Sequence, residues 1–270
     1  MSRAHLLREK LASGKIVFGS NVVFDEPAIS ELLACAGHEY VWIDMEHGAI
    51  DYKDALHHVM GAHSGGAAAF IRVPSNDPDM IKKTLDMGAD GIIFPLVHNA
   101  EEVKTAMESC LYPPDGIRGY NPLGAARYGM IDGPTYCKAS RTSIIRMIML
   151  EHIDAYRDLD NILNVPGLDG VILGPSDLSG SMGKMLQTTD PEVVSILEDI
   201  TVRCRKAGVF VGIALNSALG ADIYVPWMRL GVQLFSVGQD IDFLHLMAMR
   251  KVEDIRKAEE IIIQASKDMN

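Results

Sequence analysis

Eight short segments of apolar, largely β-branched residues recur along this 270-residue chain and constrain its fold more than any other feature. Each segment is almost continuously hydrophobic, as expected for a parallel strand buried on both faces, and most precede a stretch with helical periodicity. The segments are residues 16–23, 40–47, 68–74, 91–97, 144–151, 170–178, 209–215 and 234–240. Eight strand–helix repeats predict one α/β domain over residues 1–270, a (β/α)₈ TIM barrel, because doubly wound sheets more often have fewer strands.

Capping residues, proline and first-turn acids mark three helix starts, at residues 25–27, 75–78 and 189–192. Three glycines are predicted to end helices before the next strand, and these are Gly37, Gly88 and Gly208. A helix over residues 216–231 is less clearly marked, because Pro226 falls inside it.

Two segments exceed what plain alternation of strand and helix requires. Residues 112–129 form a long connection after strand 4 that is rich in Gly and Pro, and we interpret it as a lid or substrate loop. Residues 241–270 carry more helix than one barrel repeat needs, with an apolar stripe that includes Leu246, Ile255 and Ile262. We therefore expect these C-terminal helices to pack on a neighbouring subunit of a homo-oligomer.

The formal net charge of −11 disfavours nucleic acid and anionic lipid as partners, because both require a positive field. An anionic small molecule can still be attracted by a local arginine or a bound cation. No apolar stretch has the position of a signal peptide or the length of a membrane helix. The four cysteines are scattered without a CxxC pair, so we expect a cytoplasmic protein with neither a zinc knuckle nor a disulfide framework.

Polar and titratable residues concentrate at the predicted C-terminal ends of the strands, where barrels of this kind have their active sites. They are Asp44, Glu46 and His47 on strand 2, Arg72 on strand 3, Glu151 on strand 5, and Ser176 and Asp177 on strand 6. A buried strand accommodates a carboxylate at the barrel mouth, or deeper inside if the group is paired. The sequence therefore predicts a polar site at the mouth.

Glu151 and Asp177 end adjacent predicted strands and form a reasonable pair of oxygen ligands for a hard divalent cation. Mg²⁺ or Mn²⁺ is the first expectation, and Co²⁺ and Zn²⁺ are further candidates. The alternative is that each carboxylate caps the helix that follows it. Two strand-end acids facing two more on strand 2 favour the metal.

His47 follows Asp44 and Glu46 and is a candidate general base, because a carboxylate can orient an imidazole whose pKa lies near neutrality. The alternative is a turn histidine bonded to the main chain. Arg72 can bind a substrate carboxylate through its planar fork, or it can form an internal salt bridge to Asp44 or Asp86.

The other histidines are less informative: His57 and His58 are expected to be solvated in the middle of a helix, and His98 to line the mouth after strand 4. None of the predicted strands ends in lysine, and Lys15 lies on the N-terminal side of strand 1. Schiff-base chemistry therefore lacks an obvious nucleophile, which leaves the metal route.

At these residues the sequence resembles the HpcH/HpaI family of class II pyruvate aldolases, the 4-hydroxy-2-oxoheptanedioate aldolases, over nearly the whole chain. The matching motifs are WIDMEHG (42–48), IRVPSNDP (71–78), LDMGADGIIFPLV (85–97), YPPDGIRG (112–119), LEHIDAYRDLDNIL (150–163), PGLDGVILGPSDLSGSMG (166–183) and SVGQDIDFL (236–244).

The resemblance implies a role for each residue of the mouth. Glu151 and Asp177 coordinate the divalent metal, and Arg72 binds the pyruvyl end of the substrate and steadies the enolate. His47 is the acid/base residue, oriented by Asp44. Glu46 lies close to the metal's water, and we assign both Glu46 and Ser176 to substrate binding. The resemblance also implies a hexamer built from three dimers with exchanged C-terminal helices, in which Asp86 approaches a neighbouring subunit's site.

This chain departs from the family pattern at Met149, where the family usually has Gln, and at His152, where Ser or Thr is common. Residues 121–123 also differ, so the aldehyde half of the substrate stays open. The expected reaction is the reversible cleavage of a 4-hydroxy-2-oxo acid into pyruvate, or a related 2-oxo acid, and an aldehyde. Two alternatives are a citrate-lyase-β-like lyase acting on a CoA thioester and a non-catalytic barrel that binds metal and 2-oxo acid.

Overall fold

The computed structural model describes residues 2–215 and 220–268, and it contains a closed barrel of eight parallel strands in sequential order. The strands are β1 (Val17–Val22), β2 (Tyr40–Asp44), β3 (Ala68–Arg72), β4 (Gly91–Phe94), β5 (Ile145–Leu150), β6 (Gly170–Leu173), β7 (Phe210–Ala214) and β8 (Leu234–Gln239). All eight lie within the segments predicted from hydrophobicity, so the predicted TIM barrel is confirmed. β1 pairs with β8, which closes the sheet.

Helices alternate with the strands, and those between the first and the last helix cover the outside of the barrel. The helices are α1 (Arg3–Ala12), α2 (Ala28–Cys35), α3 (Tyr52–Gly65), α4 (Pro78–Asp86), α5 (Ala100–Ser109), α6 (Gly133–Ser140), α7 (Ile153–Arg157), α8 (Leu159–Leu163), α9 (Pro175–Ser181), α10 (Pro191–Lys206), α11 (Val225–Leu230) and α12 (Asp240–Asp268). The predicted sixth strand is too long at its C-terminal end, because α9 begins at Pro175.

The predicted helix boundaries follow from local chemistry. Asp77 caps α4 by accepting hydrogen bonds from the main-chain N–H groups of Asp79 and Met80, at 2.7 and 3.3 Å. Gly37, Gly88 and Gly208 have φ values of 104°, 99° and 75°, which glycine adopts without steric cost. The helix predicted over residues 216–231 is shorter in the structure, where α11 has Pro226 in its first turn. Residues 216–219 lie outside the described part of the chain.

The barrel interior is filled by large side chains and closed at one end by α1. Tyr40, Trp42 and Phe70 are fully buried there, and Leu7 and Leu11 of α1 pack against the same cluster. Because α1 leads into β1, it covers the N-terminal ends of the strands. The opposite end, where the strands finish, is the barrel mouth.

The loop over residues 112–129 lies at the closed end and not at the mouth of its own barrel, so its interpretation as a lid over that mouth is wrong. It follows α5 and leads back toward the start of β5, as a helix-to-strand connection must. The main-chain N–H groups of Gly124 and Ala125 donate to the carbonyl oxygen of Asp86 at the end of α4, at 3.0 and 3.2 Å.

His58 is fully buried, so the expectation that it is solvated is wrong, whereas His57 is exposed as expected. The imidazole of His58 forms hydrogen bonds with Ser30 Oγ at 2.7 Å and with the carbonyl oxygen of Phe24 at 3.0 Å. Burial lowers the pKa of His58. The neutral ring therefore ties α3 to α2 and to the loop after β1.

The last helix, α12, extends over 29 residues and has Asp240 as its only buried residue among those described. Its exposed apolar side chains include Ile241, Leu244, Leu246, Met247, Met249, Ile255, Ile261 and Ile262. A helix with this much exposed apolar surface is typical of one that packs against another protein chain. Among the described helices, none combines the length and apolar character needed to cross a membrane.

Candidate active site

The base of the mouth is a buried ion pair between β2 and β3. Asp44 and Arg72 are direct neighbours in the strand register, and their side chains are 0% and 7% exposed. Arg72 Nε donates to Asp44 Oδ1 at 3.0 Å and Nη2 donates to Oδ2, so the contact is bidentate. The guanidinium also lies 5.2 Å above the ring of Trp42. The internal salt bridge considered for Arg72 is therefore present, and its partner is Asp44.

Arg72 also makes an ionic contact with Glu46, with 2.9 Å between Nη1 and Oε2. A guanidinium carries five N–H donors, and the hydrogen bonds to Asp44 engage two of them. The contact with Glu46 is ionic, and Glu46 Oε2 accepts no hydrogen bond among the described residues, so further donors are left for another acceptor at the mouth. Burial raises the pKa of Glu46, and the charge of Arg72 partly offsets this effect.

Asp44 holds the turn after β2 through the main chain. Its Oδ1 accepts the N–H groups of Glu46 at 3.0 Å and of His47 at 3.3 Å. The His47 imidazole is 66% exposed, and its Nε2 lies 3.7 Å from Glu46 Oε2. Asp44 thus positions the backbone of His47, whereas the ring itself faces Glu46 and solvent.

Glu151 is almost fully buried, with 3% of its surface exposed, directly after β5. Its Oε1 accepts the main-chain N–H of Leu96 at 2.8 Å, which fixes the plane of the carboxylate. Burial raises the pKa of Glu151 to about 7, and the nearby charges of Glu46 and Asp177 act in the same direction. An ideal Cβ placed on Gly174 would lie 2.8 Å from Glu151 Oε2, so only glycine leaves room for this carboxylate.

Asp177 and Ser176 lie in the first turn of α9, and Asp177 is exposed at the mouth. The helix-capping alternative is wrong for both expected metal ligands. No side chain caps α9 at Gly174, and the cap of α7 is His152, which follows Glu151. Both carboxylates are thus available for another partner.

Three carboxylates therefore lie near one another at the mouth, and the guanidinium of Arg72 is the positive group beside them. They are Glu46 after β2, Glu151 after β5 and Asp177 in α9. Asp177 is close enough to raise the pKa of both Glu46 and Glu151. Within residues 2–215 and 220–268, no group of three or more His, Cys, Asp or Glu side chains is arranged to hold a metal ion by itself. A buried carboxylate in this negative surrounding fits a hard divalent cation with few protein ligands and open positions.

Asp86 is not brought to the mouth of its own barrel. It ends α4 at the closed end, where its half-buried carboxylate accepts a hydrogen bond from Arg118 Nη2 at 2.7 Å. Arg118 is itself fully buried and stacks on Tyr112 with 4.7 Å between guanidinium and ring.

Sequence reasoning missed one neighbour of Glu151. Leu96 contributes a main-chain N–H and has a φ of 47°, and a leucine in an apolar segment gives no sign of either property. Met149 points into the barrel below the mouth, where it is 3% exposed and belongs to the interior cluster. The departure at Met149 therefore places an apolar side chain beneath Glu151.

The family described as "HpcH/HpaI aldolase/citrate lyase" matches residues 21–240 of this chain. A Roseovarius nubinhibens protein named hydroxypyruvate/pyruvate aldolase is 32% identical over 88% of this chain and 91% of its own length. A Pseudomonas putida protein named 2-dehydro-3,6-dideoxy-6-sulfogluconate aldolase is 35% identical, over 84% and 86%.

Among solved structures, the HpcH/HpaI aldolase from Desulfitobacterium hafniense superposes with a TM-score of 0.86 at 29% identity. That match covers 93% of this chain and 96% of the other. The barrel, the residues gathered at its mouth and the extent of these matches agree, and the chain belongs to the HpcH/HpaI aldolase/citrate lyase family.

Proposed function

We propose that the protein is a divalent-metal-dependent class II aldolase that reversibly cleaves a 4-hydroxy-2-oxo acid into pyruvate, or a related 2-oxo acid, and an aldehyde. The enzyme class, an aldehyde-lyase, follows from the family and from relatives that are themselves aldolases. The single observation that supports the proposed chemistry best is the buried Glu151 carboxylate facing Asp177, Glu46 and Arg72 at the barrel mouth.

Glu151 and Asp177 would hold the metal, with Mg²⁺ or Mn²⁺ favoured by their oxygen ligands and Co²⁺ or Zn²⁺ as further candidates. The bound ion would supply Lewis-acid stabilisation of the negative charge that develops on the 2-oxo group. Leu96 N–H and Gly174 keep the Glu151 carboxylate in one orientation, so the ligand does not have to be ordered when the ion binds.

Arg72 would bind the substrate carboxylate with N–H donors that its hydrogen bonds to Asp44 leave unused. Asp44 keeps the guanidinium in place, and Ser176 in the first turn of α9 adds a hydroxyl to substrate binding. His47 is exposed at the rim beside Glu46, and it would accept the proton of the 4-hydroxyl group as the bond between C3 and C4 breaks.

The charges at the mouth do not favour a CoA thioester as substrate. The phosphates of CoA require a basic groove. The mouth instead carries the carboxylates of Glu46, Glu151 and Asp177, and its Arg72 is already paired with Asp44 and Glu46. A non-catalytic barrel that binds metal and 2-oxo acid would share the same ligands and differ in turnover alone.

We further propose that α12 is exchanged with a second copy of the chain, in a hexamer built as a trimer of dimers, and that Asp86 approaches the neighbouring subunit's mouth. The exposed apolar residues of α12 support the exchange, since they have no contacts in the described part of this chain that would cover them. All four cysteines are free, in keeping with the cytoplasmic location that we propose.

The experiment is pyruvate release from a panel of 4-hydroxy-2-oxo acids, measured after chelation and again with added Mg²⁺, Mn²⁺ or Co²⁺. We expect cleavage to require the ion and to fall by roughly 100-fold or more in Glu151→Gln and Asp177→Asn. Glu9→Gln is the matched control, because it removes one exposed carboxylate at the closed end of the barrel. Full metal-dependent cleavage by both site variants would refute the ligand assignment, and turnover of a CoA thioester alone would favour the lyase alternative.

A further inference from the structure

Two histidines lie side by side at the mouth, outside the carboxylate cluster. His98 follows β4 and His152 directly follows Glu151, and their ring centroids are 4.5 Å apart with an interplanar angle of 61°. Their side chains are 43% and 28% exposed. Leu96, two residues before His98, donates its N–H to Glu151. Both rings are therefore within two residues of the groups that form the metal-binding side of the mouth.

Both imidazoles use Nδ1 for their hydrogen bonds, which gives the two Nε2 atoms opposite hydrogen-bonding roles. His152 Nδ1 accepts the main-chain N–H of Asp154 at 3.2 Å, so in the neutral ring the proton belongs on Nε2, which is a donor. His98 Nδ1 lies 3.4 Å from Glu102 Oε2, an acceptor, so in the neutral ring the proton belongs on Nδ1 and Nε2 is an acceptor. The hydrogen bonds that these side chains make in the described part of the chain all use Nδ1.

One donor and one acceptor on neighbouring rings, with centroids 4.5 Å apart, match a hydroxyl group, which both donates and accepts. A terminal carboxylate accepts only, and here it would stand next to the carboxylates of Glu102 and Asp154. We propose that His98 and His152 bind a hydroxyl group on the aldehyde half of the substrate, so that polyhydroxylated 4-hydroxy-2-oxo acids are preferred. This inference rests on the proposed aldolase function and narrows its substrate class.

The test compares two substrates of equal chain length, one releasing glyceraldehyde and the other releasing propanal, in the wild type and two variants. His98→Phe keeps an aromatic ring against His152 but removes both nitrogens. His152→Ser removes the imidazole, while serine retains the ability to cap α7. We expect the wild type to prefer the hydroxylated substrate in kcat/KM by about tenfold or more, because unpaired polar groups penalise the analogue. Each variant should lose most of this preference and keep its rate on the propanal-releasing substrate.

The outcomes separate the inference from the function on which it rests. A preference that both variants retain would overturn the role of the histidines, and so would a wild type that favours a substrate with a terminal carboxylate. If the wild type released no pyruvate from either compound with Mg²⁺ or Mn²⁺, the aldolase proposal would fail. The two compounds would then serve as unreactive ligands in calorimetry. Tighter binding of the hydroxylated one, lost in both variants, would still support the histidine site, and equal affinities would exclude it.

Discussion

Replacement of Glu151 by Gln should stabilise the metal-free protein at alkaline pH. The ordinary pKa of a glutamate is 4.5, and burial raises that of Glu151 to about 7, so the fold favours the protonated form. Well below pH 4.5 the carboxyl is neutral in both folded and unfolded chains and contributes no difference. Between pH 4.5 and about 7 the unfolded chain releases this proton while the buried carboxyl keeps it, so the folded state loses stability, by roughly 3 kcal/mol in total above pH 7. Glutamine keeps the shape and can still accept the N–H of Leu96, but it never ionises.

The assay is urea unfolding in the presence of a chelator, at one protein concentration, at pH 5 and pH 8. Glu151→Gln should exceed the wild type in unfolding free energy by roughly 3 kcal/mol at pH 8 and by much less at pH 5. Added Mn²⁺ should stabilise the wild type at pH 8 and leave the variant nearly unchanged. Glu9→Gln serves as the exposed control. The reasoning is refuted if the variant is less stable than the wild type at pH 8, or if the difference is the same at both pH values.

Three further perturbations test other parts of the structure. Arg72→Lys loses the bidentate contact with Asp44, so kcat/KM should fall by roughly 100-fold and urea unfolding should show lower stability; unchanged kinetics would contradict the role of the guanidinium fork. Gly19→Ala would place a Cβ 2.2 Å from the carbonyl oxygen of Tyr40, so the unfolding free energy should fall by roughly 2 kcal/mol or more, and a neutral effect would mean that β1 and β2 move apart freely. Deletion of residues 245–268 should lower the mass seen by analytical ultracentrifugation, whereas an unchanged oligomer would exclude α12 as its contact.

The strands were predictable because a parallel barrel buries both faces of each strand, which leaves a continuous apolar run in the sequence. Caps such as Asp77 and turn glycines such as Gly88 are equally local, since each acts on its own few residues. The predicted lid failed for a non-local reason. The Gly- and Pro-rich composition of residues 112–129 indicates a loop. Composition does not say which end of the barrel the loop covers, because that depends on the helix α5 that precedes it.

The sequence by itself determined the barrel, the strand-end polar residues and the resemblance that the family match confirmed. It could not determine which charges face one another. Arg72 was open to a substrate or an internal partner, and the strand register placed it opposite Asp44. Burial and neighbouring carboxylates on other elements raised the pKa of Glu151, and the fold brought His98 to His152. Contacts between distant segments depend on tertiary packing, because each strand's pattern records that it is buried and not what it is buried against.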